Sequence, residues 1–174
     1  MKSEVRSPKS EASRLVFIAL GSNLGDSVRL LREAMERLQA FSGEPLLRSS
    51  LWRTAPVDCP PGSPDFVNSV VGLVPPAAET PETLLAKLQA LEREFGRPPR
   101  HQVNEPRPLD LDLICFGAQR RATPTLVLPH PRAHRRRFVL EPLREVAPTL
   151  VLPGQAENVR QLLIRLPPAD CRRL

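Results

Sequence analysis

The run Leu15-Val16-Phe17-Ile18-Ala19-Leu20, followed at once by Gly21-Ser22-Asn23-Leu24-Gly25-Asp26, sets the fold. Six apolar residues in a row, rich in strand formers, describe a short strand buried on both faces. Beyond the glycine turn, Val28, Leu31, Met35 and Leu38 recur at helical spacing, with Asp26 placed as the N-cap and Gly43 just past the helix end. The turn lacks the Gly-Lys-Ser/Thr ending of a phosphate loop and the third glycine of a dinucleotide fingerprint. Its expected job is structural, a tight turn using glycines at positive φ.

Two more strands are expected at Leu46–Thr54 and Phe66–Val74, separated by the proline-rich loop APVDCPPGSPD, too long for a hairpin turn. Thr80 and Pro81 open a second helix as N-cap and N1; Leu84, Leu85, Leu88, Leu91 and Phe95 mark its apolar face, and Gly96 stops it. The polar loop Arg97–Pro108 then leads into the strand LDLDLICF. Strand, helix, strand, strand, helix, strand is the ferredoxin-like βαββαβ order of an α+β fold, an antiparallel sheet with two helices on one face. From about Ala118 the C-terminal additions are expected to supply a strand near Thr125–Leu128, a short helix around His134–Arg144, and a final strand and helix. Residues 1–13 are expected to be a disordered tail and residues 14–174 a single domain.

Prolines number 21 in 174 residues, more than twice the usual share, and they cluster between apolar segments, where they read as stiff loops. The formal net charge of +6 admits an anionic partner without saying which. Three widely separated cysteines, Cys59, Cys115 and Cys171, suggest neither a disulfide framework nor a zinc site, so a reducing cytoplasm is expected. The polar N-terminal residues are not expected to be a signal peptide, and no run approaches the roughly 18 apolar residues of a membrane span.

The densest chemistry lies in Pro106-Arg107-Pro108-Leu109-Asp110-Leu111-Asp112-Leu113. Residues two apart on a strand share a face and stand about 6.6–6.8 Å apart. Asp110 and Asp112 therefore converge, while Leu109, Leu111 and Leu113 turn into apolar packing. Such a pair is either a solvated strand face or a cation site, because close like charges raise each other's pKa unless a cation is shared. Oxygen ligands suit magnesium, which keeps waters and takes further ligands from substrate phosphates. The arginines Arg97, Arg100 and Arg107 on one side, and Arg132, Arg135, Arg136 and Arg137 on the other, favour a site, since guanidinium groups bind phosphate oxygens bidentately. Arg132 and Arg135 are expected on an exposed helix start. His130, between Pro129 and Pro131, is either structural or a phosphate donor; His101 and His134 read as surface residues. Asn68, polar on an apolar strand, is either a satisfied core amide or a reader of a heterocycle edge.

Taken together, FIALGSNLGD, Trp52-Arg53-Thr54, Asp65-Phe66-Val67-Asn68, FGR followed by PRPLDLDLICFG, and LPHPRAHRRRFVLEPL resemble the 6-hydroxymethyl-7,8-dihydropterin pyrophosphokinase family of folate biosynthesis, from about Leu15 to about Pro153. The resemblance implies a ferredoxin-like enzyme that transfers pyrophosphate from ATP to the hydroxymethyl group of a reduced pterin, leaving AMP. It implies that Asp110 and Asp112 bind two magnesium ions and that Arg97 and Arg107 act in catalysis. Thr54, Ala55, Val57, Asn68 and Phe138 match pterin-pocket positions, and Phe66 joins them as a candidate lining residue. Gln89, Glu92, Arg97, Arg107, Leu113, His130 and Arg136 match nucleotide-side positions. The loops at about Ala55–Phe66 and Arg97–Arg107 match mobile loops that close over the substrates, and a monomer is expected.

Three positions depart from the family pattern. Pro99 stands where an arginine is usual, with Arg100 one residue on as its substitute; Asn104, followed by Glu105, replaces a tryptophan; Arg135 replaces a glutamate. A ferredoxin-like RNA-binding module is the main alternative, but such modules stack bases on strand aromatics. Here aromatics are 4% of residues with no tyrosine, and paired aspartates repel a phosphate backbone. A metal-dependent nuclease lacks a second carboxylate cluster or a histidine base.

Overall fold

The computed structural model describes residues 14–98 and 105–174. The segment 1–13, read from sequence as a tail, and Pro99, Arg100, His101 and Asn104 lie outside the described residues.

The expected order is present. Strand β1 (Val16–Ser22) leads to helix α1 (Ser27–Leu38), then to β2 (Leu47–Arg48), β3 (Trp52–Thr54) and β4 (Phe66–Leu73). Helix α2 (Pro81–Glu94) and β5 (Asp110–Phe116) complete the βαββαβ core. The Asp26 side chain accepts from the Arg29 amide at the start of α1. Thr80 and Thr83 form a reciprocal cap at the start of α2, with Pro81 in the first turn. The sheet runs β5-β1-β4-β3, all antiparallel, with β2 also pairing β4.

Two apolar layers hold the sheet. On one face Val16, Ile18 and Leu20 of β1 meet Leu109, Leu111 and Leu113 around β5, and Leu31, Leu38, Leu84 and Leu88 of α1 and α2. The alternation expected along LDLDL is therefore realised, with its leucines in the core. On the other face Phe17, Val70, Ile114 and Cys115 pack against Val139, Leu140 and Leu143 of α3 (Arg137–Val146) and Leu162 and Leu163 of α4 (Val159–Arg165). A sheet whose central strands are apolar on both sides has to be covered on both, and the C-terminal additions do this.

Several boundaries differ from the sequence reading. Leu46–Thr54 is not one strand: β2 pairs Arg48 with Val71, whereas β3 pairs Trp52 with Asn68, so one extra residue is accommodated among Ser49, Ser50 and Leu51. The strand expected at Thr125–Leu128 shrinks to β7 (Val127–Leu128), in a hairpin with β6 (Arg121–Ala122). The helix expected at His134–Arg144 is a 3-10 turn, Ala133–Arg135, followed by α3. At the C-terminus the helix precedes the strand: α4 leads to β8 (Cys171–Arg173), which pairs with the free edge of β3.

Leu88 is fully buried between α2 and the sheet, whereas Ile164 on α4 is 80% exposed. Leu88→Ala should lower the unfolding free energy by about 2–5 kcal/mol in urea titration. Ile164→Ala should change it by no more than about 0.5 kcal/mol.

Candidate active site

The face of the sheet toward α3 carries the site at the C-terminal end of β4's neighbours β1 and β3, where apolar side chains give way to polar ones. Register sets the row. Gly21 of β1 lies between Asp110 of β5 and Asn68 of β4; Asn68 lies opposite Trp52, and Phe66 opposite Thr54. Paired residues share a face, so Asp110, Gly21, Asn68, Phe66 and Thr54 form one continuous floor. Gly21 keeps it open: a Cβ there would stand 3.1 Å from Oδ1 of Asn68 and 3.9 Å from Cβ of Asp110. Asn68 Nδ2 donates to Thr54 Oγ1 at 2.7 Å, fixing the amide in a buried position.

Asp110 and Asp112 leave the same face of β5, as alternation requires, and each is met by cations. Arg97 Nη1 donates to Asp110 Oδ1 at 2.8 Å, and Arg107 Nε is 3.3 Å from Asp110 Oδ2. Arg136 Nη1 and His130 Nε2 lie 3.7 and 3.9 Å from Asp112 Oδ2. His130 Nδ1 accepts from the Arg132 amide at 3.1 Å, so in the neutral ring the proton sits on Nε2, facing the carboxylate. Burial first, and then Arg136 and Arg132, push the His130 pKa down to about 4, which keeps the ring neutral at neutral pH. Burial and then Asp110 push Asp112 up to about 6, against the opposing pull of Arg136, Arg107 and Arg97.

The carboxylates stand between two cavities. One is lined by Thr54, Ala55, Val57, Phe66, Asn68 and Phe138 together with Arg107, Arg136, Asp110 and Asp112. The other is lined by Gln89, Glu92 and Arg97 together with Leu85, Arg93, Pro98 and the same two aspartates. The first is walled by aromatic rings that carry guanidinium groups: Arg107 lies 5.8 Å from the Phe66 ring centre and Arg136 5.4 Å from that of Phe138. A flat polar ring and an anion are what such walls accommodate.

A family profile, 7,8-dihydro-6-hydroxymethylpterin-pyrophosphokinase, matches residues 17–148. The chain belongs to this family. It is 37% identical over 154 residues to a 2-amino-4-hydroxy-6-hydroxymethyldihydropteridine pyrophosphokinase of Synechocystis, covering 88% of this chain and 75% of that one. It is 36% identical over 162 residues to the enzyme of the same name from Methylorubrum extorquens, covering 91% and 97%. Among solved structures, a crystal structure of Plasmodium falciparum HPPK-DHPS superposes with a TM-score of 0.69 at 13% identity. That match covers 87% of this chain but only 45% of the other, and it shows the shared fold.

Within this pyrophosphokinase frame the residues expected on the nucleotide side do not stay together: Arg107 and Arg136 line the cavity of the pterin-side residues, and His130 lines neither cavity. Thr54, Ala55, Val57, Phe66, Asn68 and Phe138 all reach one cavity, and Gln89, Glu92 and Arg97 reach the other. Leu113 reaches neither, because its side chain is in the core beneath the carboxylates, on the opposite face of β5. Arg100 lies outside the described residues. Arg132, expected on an exposed helix start, is exposed but also lines the first cavity, since the 3-10 turn at Ala133–Arg135 swings it back toward Arg136. Asp58 and Cys59 line the same cavity and were not singled out in the sequence. Asp58 has φ 56°, the left-handed region, in a non-glycine residue of the proline-rich loop.

Asn23, read as part of a structural turn, is a buried clamp. Its backbone N–H donates to the Arg107 carbonyl at 3.1 Å, and its side-chain Oδ1 accepts from the Arg107 backbone N–H at 2.9 Å. A polar residue between the turn's two glycines was the only signal of this role. Glu92 ties α2 to β5 by accepting from the Leu111 amide at 2.7 Å, and it is also ion-paired with Arg97.

Burial outweighs these partners and raises the Glu92 pKa from 4.5 to about 7. The folded state thus holds that proton more tightly than the unfolded chain. This contribution to stability is complete below about pH 4.5 and is lost as pH rises toward about 7. Urea midpoints of the protein without ligands should fall across that window, and Glu92→Gln should flatten the fall, most visibly near its upper end.

Proposed function

We propose that the two cavities hold the two substrates of the family reaction, ATP beside Gln89, Glu92 and Arg97 and the reduced pterin beside Thr54, Asn68 and Phe138, with the reacting groups meeting over Asp110 and Asp112. The reaction moves a pyrophosphoryl group from ATP to the hydroxymethyl oxygen of 6-hydroxymethyl-7,8-dihydropterin, a step of folate biosynthesis, and leaves AMP. The observation that carries the reading is that the same carboxylate pair borders both cavities.

The donor set fits magnesium. Two carboxylates on one strand offer oxygen ligands only, and among the described residues no group of three His, Cys, Asp or Glu side chains gathers into a closed metal cage. Magnesium is commonly held this way, by one or two carboxylates plus substrate phosphates and water. Two such ions between Asp110, Asp112 and the triphosphate would neutralise phosphate charge and template an in-line displacement.

The chain's own residues do the rest. Arg97, hydrogen-bonded to Asp110, and Arg107, ion-paired with it, are the guanidinium groups that would turn to phosphate oxygens. Arg136 and the Nε2–H of His130 supply donors beside Asp112. The Asn68 amide, oriented by Thr54, presents a fixed edge to the heterocycle, and the Phe138 and Phe66 rings flank its faces. Leu113 supports the carboxylates from below. No helix among the described residues is long and apolar enough to cross a membrane. The reading takes the chain to act as a monomer in the cytoplasm, on small molecules and not on nucleic acid.

Incubation with ATP, magnesium and 6-hydroxymethyl-7,8-dihydropterin should yield AMP one-for-one with the pterin diphosphate, and no AMP when the pterin is omitted. ADP as the main nucleotide product would overturn the assignment. Asp110→Asn and Asp112→Asn should each abolish turnover; Asp112→Asn should leave the thermal midpoint at least as high, since one of two repelling charges is gone, whereas Asp110→Asn should lower it, because Arg97 and Arg107 lose their partner. Arg107→Ala and Arg136→Ala should each cost about 3 kcal/mol of transition-state stabilisation, on the order of a hundredfold in rate.

A further inference from the structure

Strand β3, between β4 and β8, holds Thr54 in the cavity only because of a one-residue irregularity. Strand β2 pairs Leu47 with Gly72 and Arg48 with Val71. Continued without interruption, that register would place Trp52 opposite Val67 and Thr54 opposite Asp65. Instead Trp52 pairs with Asn68 and Thr54 with Phe66. A slip of one residue turns every side chain of a strand to the other face. In the uninterrupted register Thr54 would leave the Asn68 side, and the hydrogen bond that orients the amide would be lost.

The bulge has its own lock. Ser49 keeps the ladder on one side: its amide donates to the Val70 carbonyl at 3.0 Å and its Oγ accepts from the Val70 amide at 2.9 Å. The next amide, Ser50, turns out of the ladder and donates to Oε2 of Glu145 on α3 at 2.7 Å. The other oxygen of the same carboxylate accepts from Nε1 of Trp52 at 3.0 Å, with Arg173 Nε 3.9 Å away. Glu145 thus grips the chain on both sides of the extra residue. It does so from the helix whose first turn carries Phe138, the opposite wall of the cavity. Bulges near active sites commonly serve to re-aim a side chain. With only three residues, β3 has little register specificity of its own.

We infer that Glu145 is a positioning residue for the pterin cavity, acting by holding the Ser49–Leu51 bulge that sets Thr54 against Asn68. The inference rests on the cavity assignment above, although the register itself can be read without it.

Three variants test it, by kinetics and by cross-strand NMR contacts. Glu145→Ala should raise the KM for the pterin about tenfold or more and leave the KM for ATP within twofold. Glu145→Gln, which keeps one acceptor oxygen but turns an NH2 on the other donor, should fall between. In a Thr54→Val background the Glu145→Ala effect on pterin KM should largely disappear. Independently of turnover, the contact between Thr54 and Phe66 should weaken in Glu145→Ala, while that between Ile18 and Val71, in the sheet centre, persists. Equal rises in both KM values, an unchanged pterin KM, or a wild-type Thr54–Phe66 contact in Glu145→Ala would overturn the inference. Absence of pterin turnover by the unaltered protein would sink the functional reading instead, and the register contacts would still decide the role of Glu145.

Discussion

Asp110 and Asp112 leave the same face of one strand, and two negative charges so placed need positive charge nearby. In the protein alone that charge is supplied by Arg97 and Arg107 on Asp110 and by Arg136 beside Asp112. The same arginines are the natural partners of phosphate oxygens. On the proposed reading, loading the site would exchange partners rather than build a new charge distribution: Asp110 and Asp112 would hold cations, and the guanidiniums would turn to the triphosphate. Groups that are already ordered and desolvated lose little on binding, which is how a preorganised site favours the transition state.

The strand can carry this charge because its other face is anchored. Leu109, Leu111 and Leu113 are buried among the leucines of α1 and α2, so β5 cannot rotate to relieve repulsion between the aspartates without exposing three apolar side chains. Each such exposure costs about 1.5–3 kcal/mol, more than the partial charge relief a solvated pair would gain. The remaining parts are held from outside the strand. Glu92 bonds the Leu111 amide and Arg97 together, Asn23 fixes the backbone of Arg107, and Glu145 fixes the bulge before β3. Buried polar groups with specific partners thus surround the site and specify its geometry more than they add to stability.

Much of this was legible in the residues. The period-two pattern of LDLDL gave both the strand and the convergence of its carboxylates, and Thr80-Pro81 and Asp26 gave the helix starts. The pterin-side and most nucleotide-side positions came from family resemblance; the pterin-side residues share one cavity, but the nucleotide-side residues divide, with Gln89, Glu92 and Arg97 in the second cavity and Arg107 and Arg136 in the first. Register was not legible. Whether Leu46–Thr54 is one strand or two depends on a partner, β4, and on a helix, α3, far along the chain. The clamps Asn23 and Glu145 were missed for the same reason, since each acts on backbone brought near only by folding. Leu113 was placed by its match to a motif, and the alternation of its own strand sends its side chain the other way. Arg132 was set aside as one of a run of arginines, and only the turn at Ala133–Arg135 distinguishes it from Arg135.

One carboxylate pair borders both cavities, and on the proposed reading it joins two substrate sites. The most direct measurement is a crystal structure of the protein with a non-hydrolysable ATP analogue, magnesium and the reduced pterin. The nucleotide should lie against Gln89 and Glu92, the pterin between Thr54, Asn68 and Phe138, and metal density between the triphosphate and both Asp110 and Asp112, with the hydroxymethyl oxygen facing the β-phosphorus. Metal bound away from these aspartates, or both ligands seated in one cavity, would contradict that reading.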